Sequence, residues 1–263
     1  MSLHLPHPRQ TIAELVSFIR TTFQKQAKTT GVIAVSGGID SALSLTLLTQ
    51  AIGPAHVRPV FLPYGEQAVA DSHSVAKFNH IPVAQWHEIN IQAMVEVCVE
   101  SLSKATDEEL DHFRRGNIMA RCRMIVTFDL AKKYQALVCG TENKSEHYLG
   151  YFTRFGDAAS DLEPIAGLYK TQVRQLAEYL ELPVSIQTKS PSAELWAGQT
   201  DEAEMGFTYQ QADQVLSVWE ATNFETLSKK KLAVAGIDPA VVVKVVEQVT
   251  KMAFKNQVPY LPS

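Results

Sequence analysis

Gly31-Val32-Ile33-Ala34-Val35-Ser36-Gly37-Gly38-Ile39-Asp40-Ser41-Ala42-Leu43-Ser44-Leu45 is the stretch on which the reading of this chain turns. From Val32 to Val35 it has no polar break, the pattern of a strand buried on both faces. Its end reads as a helix start, with Leu43, Leu47 and Leu48 at helical spacing. Between the two lie Ser36, Gly37, Gly38, Asp40 and Ser41. Two glycines allow a tight turn whose N–H groups approach an anion closely. The helix beginning there points its positive end at the same anion. Ser36 and Ser41 add hydroxyl donors. Asp40 repels a phosphate, so its place in the loop makes sense if a divalent cation sits between them. The stretch therefore reads as a cradle for pyrophosphate plus a metal ion. A plain strand–turn–helix with small packing residues is the competing reading, but the pattern S-G-G-x-D-S is far more specific than a bare Gly-Gly turn. It is neither the common P-loop nor the dinucleotide fingerprint G-x-G-x-x-G.

The 263 residues, 46% of them hydrophobic, suffice for a sizeable core, and the whole of 1–263 reads as a single domain. A formal net charge of −4 and a pI near 6.1 argue against a nucleic-acid partner. Lys229, Lys230 and Lys231 form the one tight basic run, read as a solvated helix face. No apolar run approaches the length of a membrane span, and the N-terminus lacks a signal-peptide pattern. Cys98, Cys122 and Cys139 suit neither a disulfide framework nor a zinc site, and the expected location is the cytoplasm.

Outward from the loop, short apolar strands alternate with helices. Residues 9–27 carry a helix stripe of Ile12, Leu15, Val16, Ile19 and Phe23. Val57 to Leu62 reads as a second strand, with Pro59 favouring an edge or a strand start. Residues 66–79 read as a helix, Trp86 to Ile89 as a short strand, and Ile91 to Leu102 as another helix. Lys104 to Arg115 reads as a surface segment and Asn117 to Lys133 as a long helix. Ala136 to Gly140 is a buried strand pattern, Gly150 to Asp161 a loop, and Lys170 to Leu182 a helix. Thr188 to Met205 reads as a loop, followed by two or three helices. The alternation predicts an α/β fold: a Rossmann-like parallel sheet flanked by helices, with a helical C-terminal region. Ligands in such sheets bind at the carboxyl ends of strands. Ser36 and Thr141 both follow strand ends and so share one edge, where Glu146 becomes a candidate partner for Asp40 in a metal shell.

The S-G-G-x-D-S loop resembles that of the N-type ATP pyrophosphatases, whose fold is adenine nucleotide α-hydrolase-like. Further segments are similar to successive motifs of NAD synthetases. They are Gly116 to Met124, Gly140-Thr-Glu-Asn-Lys-Ser-Glu146, Gly150-Tyr-Phe-Thr-Arg-Phe-Gly-Asp157, Asp161, Leu168 to Arg174 and Lys189 to Leu195. The resemblance covers roughly residues 10 to 259. It implies amidation of nicotinic acid adenine dinucleotide (deamido-NAD) by ammonia, with ATP and Mg²⁺, through an adenylated carboxylate. It implies that Ala34, Val35, Ser36, Gly37, Gly38, Ile39, Asp40 and Ser41 hold ATP, with Thr141, Lys170 and Ser192. Asp40 and Glu146 match metal ligands, and Asp40 and Lys170 are the catalytic candidates. Arg121, Arg154, Asp161, Phe254 and Lys255 match contacts to deamido-NAD. The family also implies a homodimer with the dinucleotide crossing the interface.

Three positions depart from the family pattern: Arg154 for Lys, Ser192 for Thr and Phe254 for His. Arg121 and Arg123 lie two apart on a helix, so at most one is expected to face a ligand. Tyr151, Phe152 and Phe155 read as core or lid packing. No set of residues marks a glutaminase, so free ammonia is the expected nitrogen donor, with a separate glutaminase subunit as the other source. The rival activities are a GMP synthetase-like amidation and tRNA thiolation, and the rival without catalysis is a nucleotide sensor.

Overall fold

The computed structural model describes residues 3–192, 198–221, 236–257 and 259–260. Four short strands, β1 (Gly31–Ala34), β2 (Val57–Phe61), β3 (His87–Glu88) and β4 (Leu137–Val138), form a parallel sheet in the order β3-β2-β1-β4. A parallel bridge from Cys139 to Leu162 continues its β4 side. The helices are α1 (Pro8–Lys25), α2 (Ile39–Ile52), α3 (Ala70–Phe78), α4 (Gln92–Thr106), α5 (His112–Tyr134), α6 (Lys144–Leu149), α7 (Lys170–Tyr179), α8 (Val184–Thr188), α9 (Asp201–Met205), α10 (Tyr209–Ala221) and α11 (Pro239–Met252).

Strand alternation divides the core. Ile33 and Phe61 point into a cluster with Ile19, Leu43, Leu47, Val75 and Leu176, drawn from α1, α2, α3 and α7. Val32, Val60 and Val138 point the other way, onto Val95, Met119 and Val126 of α4 and α5. A third cluster joins Leu149, Tyr169, Tyr209, Leu216 and Val245, and so packs α6, α10 and α11 together. The expected α/β sheet with helices on both faces is thus present.

Helix α2 is buried almost all round, not along one stripe, because it lies between β1 on one side and α1 and α7 on the other. Leu43, Leu45, Leu47 and Leu48 are each 0% exposed. Two of its buried polar side chains turn back onto their own helix: the Thr46 and Thr49 hydroxyls donate to the carbonyls of Ala42 and Leu45, both at 2.8 Å. Gly31 lets the packing close in tightly, since a Cβ there would stand 3.1 Å from both Leu48 Cδ2 and Phe23 Cζ.

Two sequence expectations shift. Pro59 lies in an interior strand, paired to Ile33 of β1. The Val60 carbonyl accepts from β1's side and the Phe61 carbonyl from Ile89 beyond β3, so by alternation Pro59 faces the β3 side. Pairing with β3 starts only at Val60, so the missing N–H of Pro59 removes no ladder bond. The surface segment expected over Lys104 to Arg115 shrinks to residues 107–111, because α4 runs on to Thr106 and Asp111 caps α5 through the Arg114 N–H at 2.7 Å. The Lys229–Lys231 run and the last part of the Lys189–Leu195 motif lie outside the described residues.

Leu48→Ala is expected to cost about 2–5 kcal/mol by opening a cavity under β1. Val184→Ala, at a position 73% exposed, is expected to stay within about 0.5 kcal/mol of wild type. Urea unfolding of the two variants checks the contrast.

Candidate functional site

After β1 the chain turns through Ser36, Gly37 and Gly38 into α2. Gly37 takes a φ of 81°, and a Cβ there would stand 2.9 Å from Asp71 Cβ of α3. The serines close the loop upon itself. The Ser41 hydroxyl donates to the Gly38 carbonyl at 3.0 Å, and the Gly38 N–H donates to Ser36 Oγ at 3.2 Å. Gly38 caps α2 without a side chain, so the first-turn N–H groups of α2 remain available to an anion. The loop borders a cavity of about 710 Å³ at the carboxyl edge of the sheet. Ala34, Val35, Ser36, Gly38, Ile39, Asp40 and Ser41 lie on its wall; Gly37 does not, and its part is to make the turn.

Three charged side chains meet on that wall. Lys170 opens α7 and is 3% exposed. Its Nζ donates to Asp40 Oδ2 at 2.5 Å and to Glu146 Oε1 at 2.9 Å. Asp40 comes from the first turn of α2 and Glu146 from that of α6. Asn143 joins the two: its Nδ2 donates to Asp40 Oδ1 at 2.8 Å, while its Oδ1 caps α6 by accepting from the Glu146 N–H at 3.0 Å. Burial pushes Glu146 up to about 8, against the pull of Lys170 and with a further push from Asp40. Burial alone would lower Lys170, but Asp40 and Glu146 outweigh it and hold the ammonium above its ordinary range.

Lys170 is seated from behind. Its N–H donates to Ser145 Oγ at 2.8 Å, and the Ser145 hydroxyl donates to Asp213. Asp213 Oδ2 also accepts from the Thr171 N–H at 2.8 Å, and the Tyr209 ring centroid lies 4.9 Å from Lys170 Nζ. Asn143 was legible as the first residue of an N-x-x-E capping box. Tyr209 and Asp213 reach the site from a distant helix, and no local pattern marks them.

Other expected residues divide. Thr141, Ser192 and Lys255 also line the cavity; the Ser192 hydroxyl donates to the Gln199 carbonyl at 2.7 Å. Arg121, Arg154 and Phe254 lie outside its wall. Arg123 faces inward and holds the fold, donating through Nε to the Leu62 carbonyl and through Nη2 to Gln67 Oε1, both at 3.1 Å. Asp161 continues the sheet: its Oδ2 accepts from the Val138 N–H at 2.7 Å. Phe155 is 59% exposed, so it is not a core residue. Glu163 was not anticipated. It accepts from the Glu142 N–H at 3.0 Å and from the Ser160 hydroxyl at 2.8 Å, and it occupies the space where a Cβ on Gly140 would fall.

Among the described residues no group of three or more His, Cys, Asp or Glu side chains is placed to hold a metal. The two carboxylates gathered around Lys170 are the oxygen donors that a hard divalent cation of the Mg²⁺ type takes, and in this arrangement they accept from Lys170 and Asn143. Such an ion takes one or two protein carboxylates and completes its shell from phosphates and water.

A parallel α/β sheet with an anion loop, an uncapped helix start and paired acids at its carboxyl edge defines a nucleotide-binding protein of the doubly wound type. The chain belongs to the NAD synthase family, whose profile matches residues 11–259. It is 39% identical over 249 residues to the NH₃-dependent NAD⁺ synthetase of Fusobacterium nucleatum subsp. nucleatum, covering 94% of this chain and 93% of that one. Its fold is similar to that of the NMN synthetase from Francisella tularensis, with a TM-score of 0.80, 30% identity, and coverage of 97% and 98%. It is likewise similar to the NH₃-dependent NAD synthetase from Campylobacter jejuni, with a TM-score of 0.79, 26% identity, and coverage of 97% and 99%.

Glu163 gives the site a pH signature in stability. Burial holds it up to about 7, against the bonds from Ser160 and the Glu142 N–H. An acid whose folded pKa exceeds its unfolded one keeps its proton in the native state after the unfolded chain has lost it, so its contribution falls as pH rises from about 4.5 to 7. Glu163→Gln is expected to flatten that fall by about 1–3 kcal/mol. Urea unfolding of both proteins at intervals from pH 4.5 to 8 checks it; parallel curves would refute it.

Proposed function

We propose that this chain amidates deamido-NAD with ammonia to give NAD, consuming ATP in the presence of Mg²⁺ and releasing AMP and pyrophosphate. The observation that carries the reading is the Asp40–Lys170–Glu146 cluster beside the Ser36–Ser41 loop, in a chain of the NAD synthase family. The alternatives, a GMP synthetase-like amidase, a tRNA thiolase or a nucleotide sensor, draw no support from the relatives found.

The chemistry follows from the residues. A carboxylate oxygen of the substrate attacks the α-phosphorus of ATP, the bond to the β-phosphate breaks, and pyrophosphate leaves with its electron pair. The loop N–H groups and the start of α2 are placed to take the charge that gathers on pyrophosphate. Lys170 stays protonated and supplies a fixed positive charge beside Asp40. Asp40 and Glu146 would hold Mg²⁺, which when bound neutralises phosphate charge. Ammonia then attacks the activated carbonyl carbon, the C–O bond to AMP breaks, and the surplus proton is released. No side-chain nucleophile is required. The reading includes a homodimer; Ile125 of α5, 52% exposed, supports it by leaving apolar surface uncovered.

Purified protein given ATP, Mg²⁺, ammonia and deamido-NAD is expected to form AMP, pyrophosphate and NAD in equal amounts. Folded protein that yields no NAD would sink the reading. Parallel reactions test glutamine as nitrogen donor and, because one structural neighbour is an NMN synthetase, the mononucleotide as acceptor. Asp40→Asn keeps the shape that Asn143 and Lys170 pack against and removes the charge. It is expected to lower kcat by about 100-fold or more and also to lower the urea midpoint, because the buried Lys170 keeps only Glu146; turnover retained by the folded variant would remove Asp40 from the mechanism.

A further inference from the structure

Arg154 sits at the apex of a turn that is fastened on both sides. Lys255 Nζ donates to the carbonyls of Gly150 and Phe152, each at 2.7 Å. The Thr153 hydroxyl donates to Asn117 Oδ1 of α5 at 2.9 Å, and the Thr153 N–H donates to Asp157 Oδ1 at 2.8 Å. Gly156 is pressed so near α5 that a Cβ on it would stand 3.0 Å from Ala120 Cβ. On this anchored turn the Arg154 guanidinium lies 5.5 Å from the ring centroid of Phe254 and 5.6 Å from that of Phe155.

Neither ring fills a core: Phe254 is 47% exposed and Phe155 59%. Phe155 reaches its place with a φ of 60°, which a bulky residue adopts only against strain. Arg154 has no ion pair among the described residues, and neither does Arg121, whose Nη2 donates to the Arg154 carbonyl at 3.3 Å. A guanidinium within reach of two aromatic rings, with a second guanidinium bonded to the same residue's carbonyl and neither paired to a carboxylate among the described residues, forms an environment suited to phosphate oxygens.

We propose that Phe254 is a positioning residue, whose ring, together with that of Phe155, holds the Arg154 guanidinium in place for the phosphates of the dinucleotide. The proposal rests on the amidation reading above. A guanidinium packs its flat face on an aromatic ring, whereas an ammonium is a compact, strongly hydrated point charge. The two departures from the family pattern, Arg154 for Lys and Phe254 for His, are on this account one coupled change. Holding the long side chain in advance lowers the ordering cost of binding.

Steady-state kinetics on Phe254→Ala, Phe254→Trp, Arg154→Ala and the Phe254→Ala/Arg154→Ala double variant test this. Phe254→Ala is expected to raise KM for deamido-NAD about 3- to 10-fold, the range that losing one half-exposed cation–π contact supports. The loss should fall on KM for deamido-NAD and not on kcat or on KM for ATP, and Phe254→Trp should restore it. Once Arg154 is Ala, adding Phe254→Ala should raise KM no further. An equal rise in the Arg154→Ala background, an equal rise for ATP, or no rise at all would each overturn the positioning role while leaving the amidation reading intact. Absence of NAD from the wild-type protein would overturn both.

Discussion

A buried ammonium between two carboxylates is the constraint on which this structure depends. Lys170 is almost wholly enclosed, and an enclosed charge persists only if its partners are held where it needs them. Those partners come from separate helices, Asp40 from α2 and Glu146 from α6, and the ammonium itself from α7. Each of the three sits in the first turn of its helix. The ion pairs therefore fix three helix starts against one another, at the carboxyl edge of the sheet. Such a trio gives weak evidence for stability, because well-packed apolar residues of the same volume often do as well. It gives much better evidence for a site, where the same groups must meet charge that comes and goes.

The trio is defended by polar groups that have no contact with the cavity's centre. Asn143 spends its two side-chain ends on Asp40 and on the α6 cap, so the position of one acid sets the position of the other. Asp213 collects the Ser145 hydroxyl and the Thr171 N–H, and so ties α10 to the starts of α6 and α7. This is why the helical C-terminal region belongs to the site although its described residues add no strand. Removing α10 would uncover Lys170 through the loss of Tyr209 and leave Asp213's two partners unsatisfied.

Much of this was legible in the sequence, and the unread part has physical causes. The Ser36–Ser41 loop encodes its conformation locally, in glycines and small hydroxyls between an apolar strand and a helix start. The joining of Asp40 with Glu146 followed from topology alone, since residues after parallel strands share an edge. What the sequence could not supply was the depth of Lys170. A lysine that opens a helix normally faces water, and only packing from α6, α10 and the acids makes it a buried one. The same holds for Glu163, whose place behind Gly140 depends on the parallel bridge between Cys139 and Leu162. Pro59 was misleading for the opposite reason: its local signal is true, but the unpaired side it demands occurs inside the sheet because β3 is only two residues long.

Of the residues matched to the dinucleotide, Lys255 lines the cavity with those matched to ATP, while Arg121, Arg154 and Phe254 lie outside its wall, and the turn around Arg154 spans the two sides. That turn touches the cavity on its inner side, through Gly150, Phe152 and Asp157. Its outer side presents Arg154 within reach of the Phe155 and Phe254 rings, with Arg121 bonded to the Arg154 carbonyl. Lys255 is bonded to the inner carbonyls and is adjacent in sequence to Phe254 on the outer side. On the proposed reading the reactive carboxylate must lie at the α-phosphate while the rest of a long substrate runs away from it. An arrangement with the leaving-group site inside and the anion-holding groups outside, joined by one clamped turn, meets that need. On the same reading the turn is the natural place for substrate choice to be set, because a change there would alter how the remote phosphates are held without disturbing Asp40, Lys170 and Glu146.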